Sequence, residues 1–343
     1  MADGQASGEG EGEGGRVSVL LPLPLSGAYD YRVPPHLVVA PGDIVTVPLG
    51  NRPVKGIVWG AGSGEVADQK LKDIKEVSDL PPVAEGLRRL IDWVASYTLS
   101  PPGAVLRMTL NVPSALEPPR ATTAYIPVPE RDRPAATDSR IRLTDARRKV
   151  LAALGEGPPQ SAARIGRAAG VSAGVVRGMA DAGLLRPVSV TPEIDLPVPD
   201  WHRAGPTLSV AQDEAARALI DDVGRAGTED GFSVTLLDGV TGSGKTEVYF
   251  EAIAAALARG LQVMVLLPEI ALTAQWLERF HRRFGTAPLE WHSDLTGAER
   301  RLGWRAVLDG KAKVVVGARS SLFLPFAELG LIVIDEEHDP SFK

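Results

Sequence analysis

The sequence predicts a multidomain α/β protein with a small β-rich N-terminal domain, a helical middle domain and an α/β lobe built on a parallel sheet. Three observations support this. A length of 343 residues fits two or three domains. Short β-rich runs, separated by Gly, Pro and Asp, fill residues 16 to about 80. Towards the C-terminus, longer apolar runs alternate with helical stretches, as they do around a parallel sheet.

Composition excludes several classes of protein. Hydrophobic residues make up 44% of the chain, which is enough for packed cores. The net charge is −6, but four carboxylates within the first fifteen residues supply −4 of it, so the remainder carries only −2 and indicates no partner. We expect residues 1–15 to be a disordered acidic tail. The chain has no Cys, which excludes disulfides, thiol nucleophiles and thiolate-bound zinc within these residues.

The hydropathy pattern indicates a cytoplasmic protein without a membrane partner. No apolar run approaches the roughly 18 residues that are needed to span a bilayer. The N-terminus is acidic and Gly-rich, whereas a signal peptide begins with basic residues and continues with an apolar stretch.

The N-terminal domain is expected to span residues 16–112. Its β-rich runs suggest a small barrel or sandwich: RVSVLLPLPL, YDYRVP, DIVTVPL, VKGIVWG and KDIKEVSD. A helix should follow within VAEGLRRLIDWVASYTL, because apolar residues recur there at helical spacing. Its predicted apolar positions are Leu87, Leu90, Ile91, Val94 and Tyr97.

A second domain is expected at residues 141–191, between linkers at 113–140 and 192–206. Helical periodicity recurs in TDARRKVLAAL, SAARIGRAAG and SAGVVRGMADAGLL, and a β-like run, LLRPVSVTP, follows. Thr144 and Ser172 are the expected N-caps of the first and third helices. Three helices followed by a strand indicate a winged-helix domain.

The third of these helices would be the one to read DNA. It offers only Arg177 as a basic side chain, whereas helices that read bases usually carry several basic or amide groups. Gly170 fits the tight turn that precedes this helix. We favour a structural or protein-contacting role for the domain and keep DNA reading as the alternative.

The α/β lobe is expected at residues 207–343. Four apolar runs are typical of strands that are buried on both faces: FSVTLLDGV, LQVMVLLPE, KVVVGA and LGLIVIDEE. Between the first run and the helix EVYFEAIAAALARG lies GVTGSGKT, which fits the P-loop pattern G-x-x-x-x-G-K-[ST]. The expected nucleotide-binding residues are Gly239, Val240, Thr241, Gly242, Ser243, Gly244, Lys245 and Thr246.

The P-loop predicts ATP and Mg²⁺ as cofactors. Its backbone N–H groups would face the phosphates, Lys245 would reach the β- and γ-phosphates, and Thr246 would bind Mg²⁺. A second carboxylate must hold the metal from the other side. Asp335 ends an apolar strand and is the expected Mg²⁺ ligand, while Glu336 after it would polarise water. His338, near them, is equally typical of a hydrogen-bonded surface residue.

The short sequence segments around these motifs resemble one protein family. GVTGSGKTEVY, LLPEIALTAQ, WHSDLTGAER, VVVGARSSLFLP and IDEEHDPSFK resemble the first RecA-like lobe of a superfamily 2 helicase, and specifically the primosomal protein N′ family of replication-restart helicases. LPLPLSGAYDYRVP, VPLGNRPVKGIV and LKDIKEV resemble that family's 3′-end DNA-binding domain. The resemblance covers residues 16–343.

The resemblance implies an ATP-dependent 3′-to-5′ DNA helicase that recognises stalled or repaired forks and initiates primosome assembly. Its implied partners are forked and single-stranded DNA, primosome proteins and single-stranded-DNA-binding proteins. By resemblance, Gln212 would contact adenine. The segments 268–275 and 317–321 would grip the phosphate backbone of DNA with side chains that can donate hydrogen bonds, namely Thr273, Arg319, Ser320 and Ser321. Ala318 stands where the family commonly has Thr.

The same resemblance implies a pocket for a 3′ end in the N-terminal domain. The matching positions are Asp30, Gly50 and Lys72. The carboxylate of Asp30 suits a sugar hydroxyl or a base amine, and Gly50 permits a close approach of DNA to the backbone. The ammonium group of Lys72 suits a phosphate. Without the resemblance, Asp30 would be interpreted as a turn residue and Lys72 as a surface charge. Tyr29 stands where the family usually has Phe.

Two parts of such a helicase are not encoded in this sequence. Translocation needs a second lobe with an arginine finger, and the family's zinc-binding, Cys-rich segment is expected only in a C-terminal half beyond Lys343. We therefore expect this chain to be the N-terminal half of a helicase, as a fragment or a truncated reading frame. The alternatives are a non-enzymatic module that binds forks and loads the primosome, and a small-molecule P-loop kinase.

Overall fold

A computed structural model describes residues 15–117, 121–132, 143–155, 157–190, 196–225, 232–240, 242–268 and 274–339. The predicted tail therefore lies outside the described residues, apart from Gly15. The chain divides into two compact units, one formed by Met1–Leu116 with Ile194–Lys343 and the other by Glu117–Glu193. Among the helices that are described, none is both long and apolar enough to cross a membrane.

The N-terminal part of the first unit is a small barrel, which confirms the β-rich prediction. Its strands are β1 (Arg16–Leu20), β2 (Tyr29–Arg32), β3 (Ile44–Leu49), β4 (Arg52–Ala61), β5 (Lys72–Asp73) and β6 (Glu76–Val77). The order in the sheet is β5-β2-β1-β4-β3-β6. The edges meet because Ile74 N–H donates to Arg32 O at 3.0 Å on one side and Lys75 N–H donates to Thr46 O at 2.9 Å on the other.

Two helices follow the barrel, α1 (Glu85–Thr98) and α2 (Pro102–Thr109). Helix α1 buries Leu87, Ile91 and Ala95, which lie at successive i, i+4 positions on one face. The prediction that Tyr97 shares this face is wrong: Tyr97 is 76% exposed and stacks on Trp93, with ring centroids 5.1 Å apart. The reason is geometric, since two residues beyond Ala95 is about 200° around the helix.

The second unit contains three helices and a small antiparallel sheet. Its elements are β7 (Thr122–Pro127), α3 (Asp145–Leu154), β8 (Gln160–Ser161), α4 (Ala162–Ala169), α5 (Ala173–Asp181) and β9 (Leu185–Val190), with the sheet order β8-β7-β9. Strand β7 lies inside the stretch 113–140 that was predicted as a linker. It forms a strand because its whole length pairs with β9, and a distant pairing partner leaves no local signal.

The helix caps of the second unit agree in part with those predicted from the sequence. The Thr144 side chain accepts a hydrogen bond from Arg147 N–H, and Gly170 ends α4 with φ at +65°, as predicted. Ser172 precedes α5 with extended backbone angles but makes no side-chain cap hydrogen bond. Ser161 caps α4, a helix for which the sequence had suggested no cap residue. The winged-helix assignment stays a prediction.

The rest of the first unit is the α/β lobe. Its elements are α6 (Val210–Arg225), α7 (Lys245–Ala258), β10 (Gln262–Leu266), α8 (Ala274–Phe284), β11 (Leu289–Trp291), α9 (Gly297–Leu308), β12 (Val314–Gly317) and β13 (Leu329–Ile334). All described strands of its sheet are parallel, in the order β11-β12-β10-β13. Strands β10 and β12 are fully buried, which confirms the prediction for these two runs.

Two of the four apolar runs do not form the strands buried on both faces that were predicted for them. Residues 232–240 form no strand, and Phe232 and Val234 there are 89% and 83% exposed. Strand β13 forms, but it is the last strand in the described sheet and leaves Ile334 52% exposed. The prediction rested on the apolar composition of these runs alone. A strand is defined by its hydrogen-bonded neighbours, and a continuous apolar run does not reveal them.

Within the first unit, the helices after the barrel and the lobe share one hydrophobic core. Trp304 on α9 is completely buried, and its indole Nε1–H donates to Thr109 O at 2.8 Å. The next residue, Arg305, donates from Nε to Ala115 O at 3.0 Å. These contacts hold α9 against the end of α2 and the chain that follows it.

Candidate nucleotide-binding site

The P-loop leads directly into α7, which begins at Lys245. Gly242 and Gly244 have φ angles of +80° and +84°, in the left-handed region that favours glycine. A Cβ atom at Gly244 would also overlap the Gln212 amide nitrogen. The glycines at positions 242 and 244 are therefore explained by backbone shape. Thr241 lies outside the described residues, as do residues 226–231 upstream of the loop.

Gln212 fastens the P-loop to the start of α6. Its Nε2 donates to Ser243 O at 2.8 Å, and its Oε1 accepts from Ser209 N–H at 2.8 Å. The side chain keeps one amide hydrogen and one lone pair beyond these bonds, so the predicted contact with adenine stays a prediction. The second role of Gln212, as a brace of the loop, has no signal in the sequence.

Lys245 crosses from the end of the loop back to its beginning. Its Nζ donates to Gly239 O at 2.6 Å. The loop in between includes a turn in which Ser243 N–H donates to Val240 O at 3.1 Å. The ammonium group and the loop backbone therefore lie together, as phosphate binding by a P-loop requires.

The predicted metal ligand Asp335 lies just after β13, at the carboxyl edge of the parallel sheet. Its backbone N–H donates to Leu266 O at 3.1 Å, which continues the pairing of β13 with β10. Its Oδ1 accepts from Glu336 N–H at 3.1 Å, and its Oδ2 accepts from the Tyr249 hydroxyl at 2.9 Å. Both carboxylate oxygens are thereby oriented by hydrogen bonds.

Glu336, the predicted water-polarising group, has an unusual backbone. Its φ is +54°, which is uncommon for a residue other than glycine and often marks a functional position. Its carboxylate lies 3.3 Å from His338 Nε2, so His338 contacts the acidic cluster. Both side chains are solvent-accessible.

Tyr249 lies between the two predicted Mg²⁺ ligands. Its hydroxyl donates to Asp335, and the Thr246 side chain is near enough to affect the pKa of the hydroxyl. Thr246 on α7 and Asp335 after β13 therefore both lie near the Tyr249 hydroxyl. A threonine hydroxyl with one carboxylate suits Mg²⁺, which keeps several waters and takes its other ligands from nucleotide phosphates. The residues present fit the metal, although no group of three or more His, Cys, Asp or Glu occurs among the described residues.

The predicted DNA-gripping segments are only partly described. Arg319 and Ser320 are exposed in the turn of 3-10 helix Arg319–Phe323, where they can reach a ligand. Ser321 cannot: it is fully buried and its hydroxyl donates to Ala318 O at 2.6 Å, because the 3-10 turn points it into the lobe. Thr273 lies outside the described residues.

The predicted 3′-end residues lie in the barrel. Lys72 Nζ donates to Gly50 O at 3.3 Å, so the structure brings these two together, and Gly50 adopts φ +59° in the turn between β3 and β4. Asp30 instead accepts from Ser63 N–H and Oγ and from Gly64 N–H at 2.9 to 3.0 Å. Its side chain is only 2% exposed.

The environment of Asp30 favours its charged form. Burial raises the pKa of this carboxyl, but the hydrogen bonds from Ser63 and Gly64 and the charge of Arg16 outweigh burial and hold the pKa below its ordinary value. Arg16 lies 3.6 Å from Asp30 and also pairs with Asp68. Asp30 therefore organises the loop at residues 62–65, a role that the sequence pattern did not reveal.

Comparison with protein families defines the class to which these two parts of the first unit belong. A family described as the 3′ DNA-binding domain of PriA matches residues 18–111, and a family described as DEAD/DEAH box helicase matches residues 211–342. The chain therefore combines a 3′ DNA-binding domain with a DEAD/DEAH box helicase domain. The two matches leave the second unit between them.

Comparison over the whole chain finds relatives that share one name. The chain is 33% identical to replication restart protein PriA of Rickettsia felis over 95% of its own length and 38% of the relative's. It is 30% identical to PriA of Synechocystis sp. over 95% of its length and 48% of the relative's, and 30% identical to PriA of Bacillus subtilis over 92% and 47%. The resemblance that the motifs predicted is confirmed: this chain is a relative of PriA, and it spans less than half the length of these relatives.

Proposed function

We propose that the chain belongs to an ATP-dependent 3′-to-5′ DNA helicase of replication restart, for which it supplies the fork-binding domains and the ATP-binding lobe. The observation that carries this proposal is that Tyr249, on the helix into which the P-loop leads, donates a hydrogen bond to Asp335, so that the P-loop helix and the carboxylate after β13 meet at one site. Mg²⁺, when bound with the nucleotide, would neutralise charge that develops on the transferred phosphate.

The residues of the chain have separable roles in this reaction. Lys245 would leave Gly239 O and bind the β- and γ-phosphates, while the loop N–H groups and the N-terminus of α7 stabilise the same charge. Glu336 would accept a hydrogen bond from the attacking water and orient it. Gln212 would hold the loop in its binding shape through Ser243.

The DNA-binding roles form the other half of the proposal. Arg319 and Ser320 would bind phosphates of single-stranded DNA without reading bases. Lys72 and Gly50 would form the wall of a pocket for a free 3′ end, with Asp30 at its side, and this pocket would recognise forks. Recruitment of primosome and single-stranded-DNA-binding proteins would follow from the resemblance to PriA.

The test is ATP turnover by the full-length protein that contains this chain, measured with and without single-stranded DNA. We expect turnover that rises with DNA and is abolished by Lys245→Ala, with fork binding nearly intact. Lys149→Ala, which changes an exposed lysine on α3, is the matched control and should alter neither. Phosphorylation of a small acceptor without DNA would contradict the proposal and favour a kinase.

A non-enzymatic fork-binding and primosome-loading module is the second candidate. The observation in its favour is that the contacts of Lys72 with Gly50 and of Asp30 with its loop lie wholly within the barrel and involve no residue of the P-loop. In the same assay, this candidate predicts tight fork binding with no ATP turnover by the wild-type full-length protein.

A further inference from the structure

A buried hydrogen-bonded chain runs from α8 through α7 to the metal-binding carboxylate. Trp276 Nε1 donates to the Tyr249 hydroxyl at 2.7 Å, and this hydroxyl donates to Asp335 Oδ2 at 2.9 Å. We propose that Tyr249, oriented by Trp276, is a positioning residue that holds the Asp335 carboxylate ready for Mg²⁺-nucleotide. The inference rests on the proposed ATP-binding function and adds two residues that neither motif contains.

The direction of the chain is fixed by chemistry. An indole N–H can only donate, so the Tyr249 oxygen must accept from Trp276. A tyrosine hydroxyl has one hydrogen, and a carboxylate can only accept, so that hydrogen is committed to Asp335. The hydroxyl therefore accepts one hydrogen bond from Trp276 and donates one to Asp335.

Packing holds both rings in place. Tyr249 and Trp276 are 5% and 6% exposed. The Tyr249 ring meets Phe250 edge-on, with centroids 5.4 Å apart, and Trp276 stacks on Phe280, also at 5.4 Å. Hydrogen bonds in so apolar a setting are stronger than in water, and their geometry is set by rings that cannot turn freely.

The hydrogen bonds leave room for a metal. An ionised carboxylate has about four acceptor positions, and in Asp335 the Tyr249 hydroxyl and Glu336 N–H take one on each oxygen. The remaining lone pairs stay available while the plane of the carboxylate is fixed. Groups that orient metal ligands in this way typically change metal affinity or activity by about 10- to 100-fold when they are removed.

The test compares Tyr249→Phe with the wild-type chain by titrating Mg²⁺ into protein with a fluorescent ADP analogue. We expect the Mg²⁺ concentration for half-saturation to rise by about 10-fold or more, while affinity for the analogue in EDTA stays within about twofold. Unchanged affinity in EDTA also shows that the fold and P-loop are intact. Binding of Mn²⁺ with ADP, followed by electron paramagnetic resonance, should weaken in parallel.

Two further variants test the Trp276 hydrogen bond and provide a control. Trp276→Phe retains a stacked ring but removes the N–H, so it should raise the Mg²⁺ half-saturation by a smaller factor, and it replaces Tyr249→Phe if that variant does not fold. Tyr31→Phe is the matched control. It removes a buried hydroxyl that donates to Pro48 O in the barrel and should change nothing at the nucleotide site.

The outcomes separate this inference from the proposed function. If Asp335→Asn abolishes the effect of Mg²⁺ but Tyr249→Phe and Trp276→Phe leave it unchanged, the positioning role is overturned and the ATP site stands. If the wild-type chain binds no nucleotide, or if Lys245→Ala binds it equally well, the proposed function fails and the inference fails with it.

Discussion

Gly244→Ala should weaken nucleotide binding more than the same change at Gly242. Both glycines have φ near +80°, so each substitution strains the left-handed backbone by about 1 kcal/mol. The two sites differ in their surroundings. A Cβ at Gly242 meets nothing within 4 Å, whereas a Cβ at Gly244 would overlap the Gln212 amide.

The size of the expected loss in nucleotide affinity follows from the hydrogen bond that must break. To accommodate the Cβ that Gly244→Ala adds, Gln212 has to give up its hydrogen bond to Ser243 O, which adds about 1 kcal/mol to the strain. Since about 1.4 kcal/mol is a factor of ten in affinity, we expect a loss of about fivefold for Gly242→Ala and about thirtyfold for Gly244→Ala.

The assay is the dissociation constant of a fluorescent ADP analogue in saturating Mg²⁺. The strained loop populates its binding shape less often, and apparent affinity falls in proportion to that population. Equal losses for the two variants would refute the role given to Gln212. No loss for either would refute the assignment of this loop to the nucleotide.

Other predictions concern the shared core and the barrel. Trp304→Phe should lower the free energy of unfolding by about 2 kcal/mol through the lost hydrogen bond and a small cavity, measured by urea titration, whereas exposed Trp93→Phe should cost less than about 0.5 kcal/mol. Asp30→Ala should weaken the preference for a free 3′ end in a competition assay but leave nucleotide affinity unchanged; an unchanged end preference would contradict the pocket. Because the folded pKa of Asp30 is lowered, its contribution to stability is present above the unfolded pKa and is lost as the pH falls through the folded value. The difference in Tm between wild type and Asp30→Asn should therefore shrink below pH 3.8, and a constant difference would argue against a charged Asp30.

The P-loop was predictable because its chemistry is local. A glycine at a left-handed position, a lysine and a hydroxyl residue must follow one another in sequence to cradle phosphate, so GVTGSGKT predicts both the loop and α7. Asp335 was predictable for a related reason, since the end of a parallel strand places a carboxylate at the ligand-binding edge of the sheet.

Tyr249 and Trp276 could not be predicted in the same way. Their hydrogen bonds join residues far apart in sequence, and each residue taken alone is a typical aromatic of a helix core. One signal was present: Tyr249 follows Thr246 by three residues, which places both on one face of α7. A sequence offers no comparable signal for the distance from that face to Asp335.

The wrong predictions about the fold have a common physical cause. Strand β7 and the segment 232–240 were misassigned because the partner that makes or fails to make a strand is elsewhere in the chain. Tyr97 was misplaced because an amphipathic pattern specifies a stripe only to within one or two positions. Ser321 was taken as exposed because a 3-10 turn was not foreseen.

The most direct test of the account is ATP binding by the chain in the presence of Mg²⁺, measured by calorimetry on the wild type and on Lys245→Ala and Asp335→Asn. The account predicts one site in the wild type, strong loss in Lys245→Ala, and loss of the Mg²⁺-dependent part alone in Asp335→Asn. Equal binding by all three proteins would contradict it.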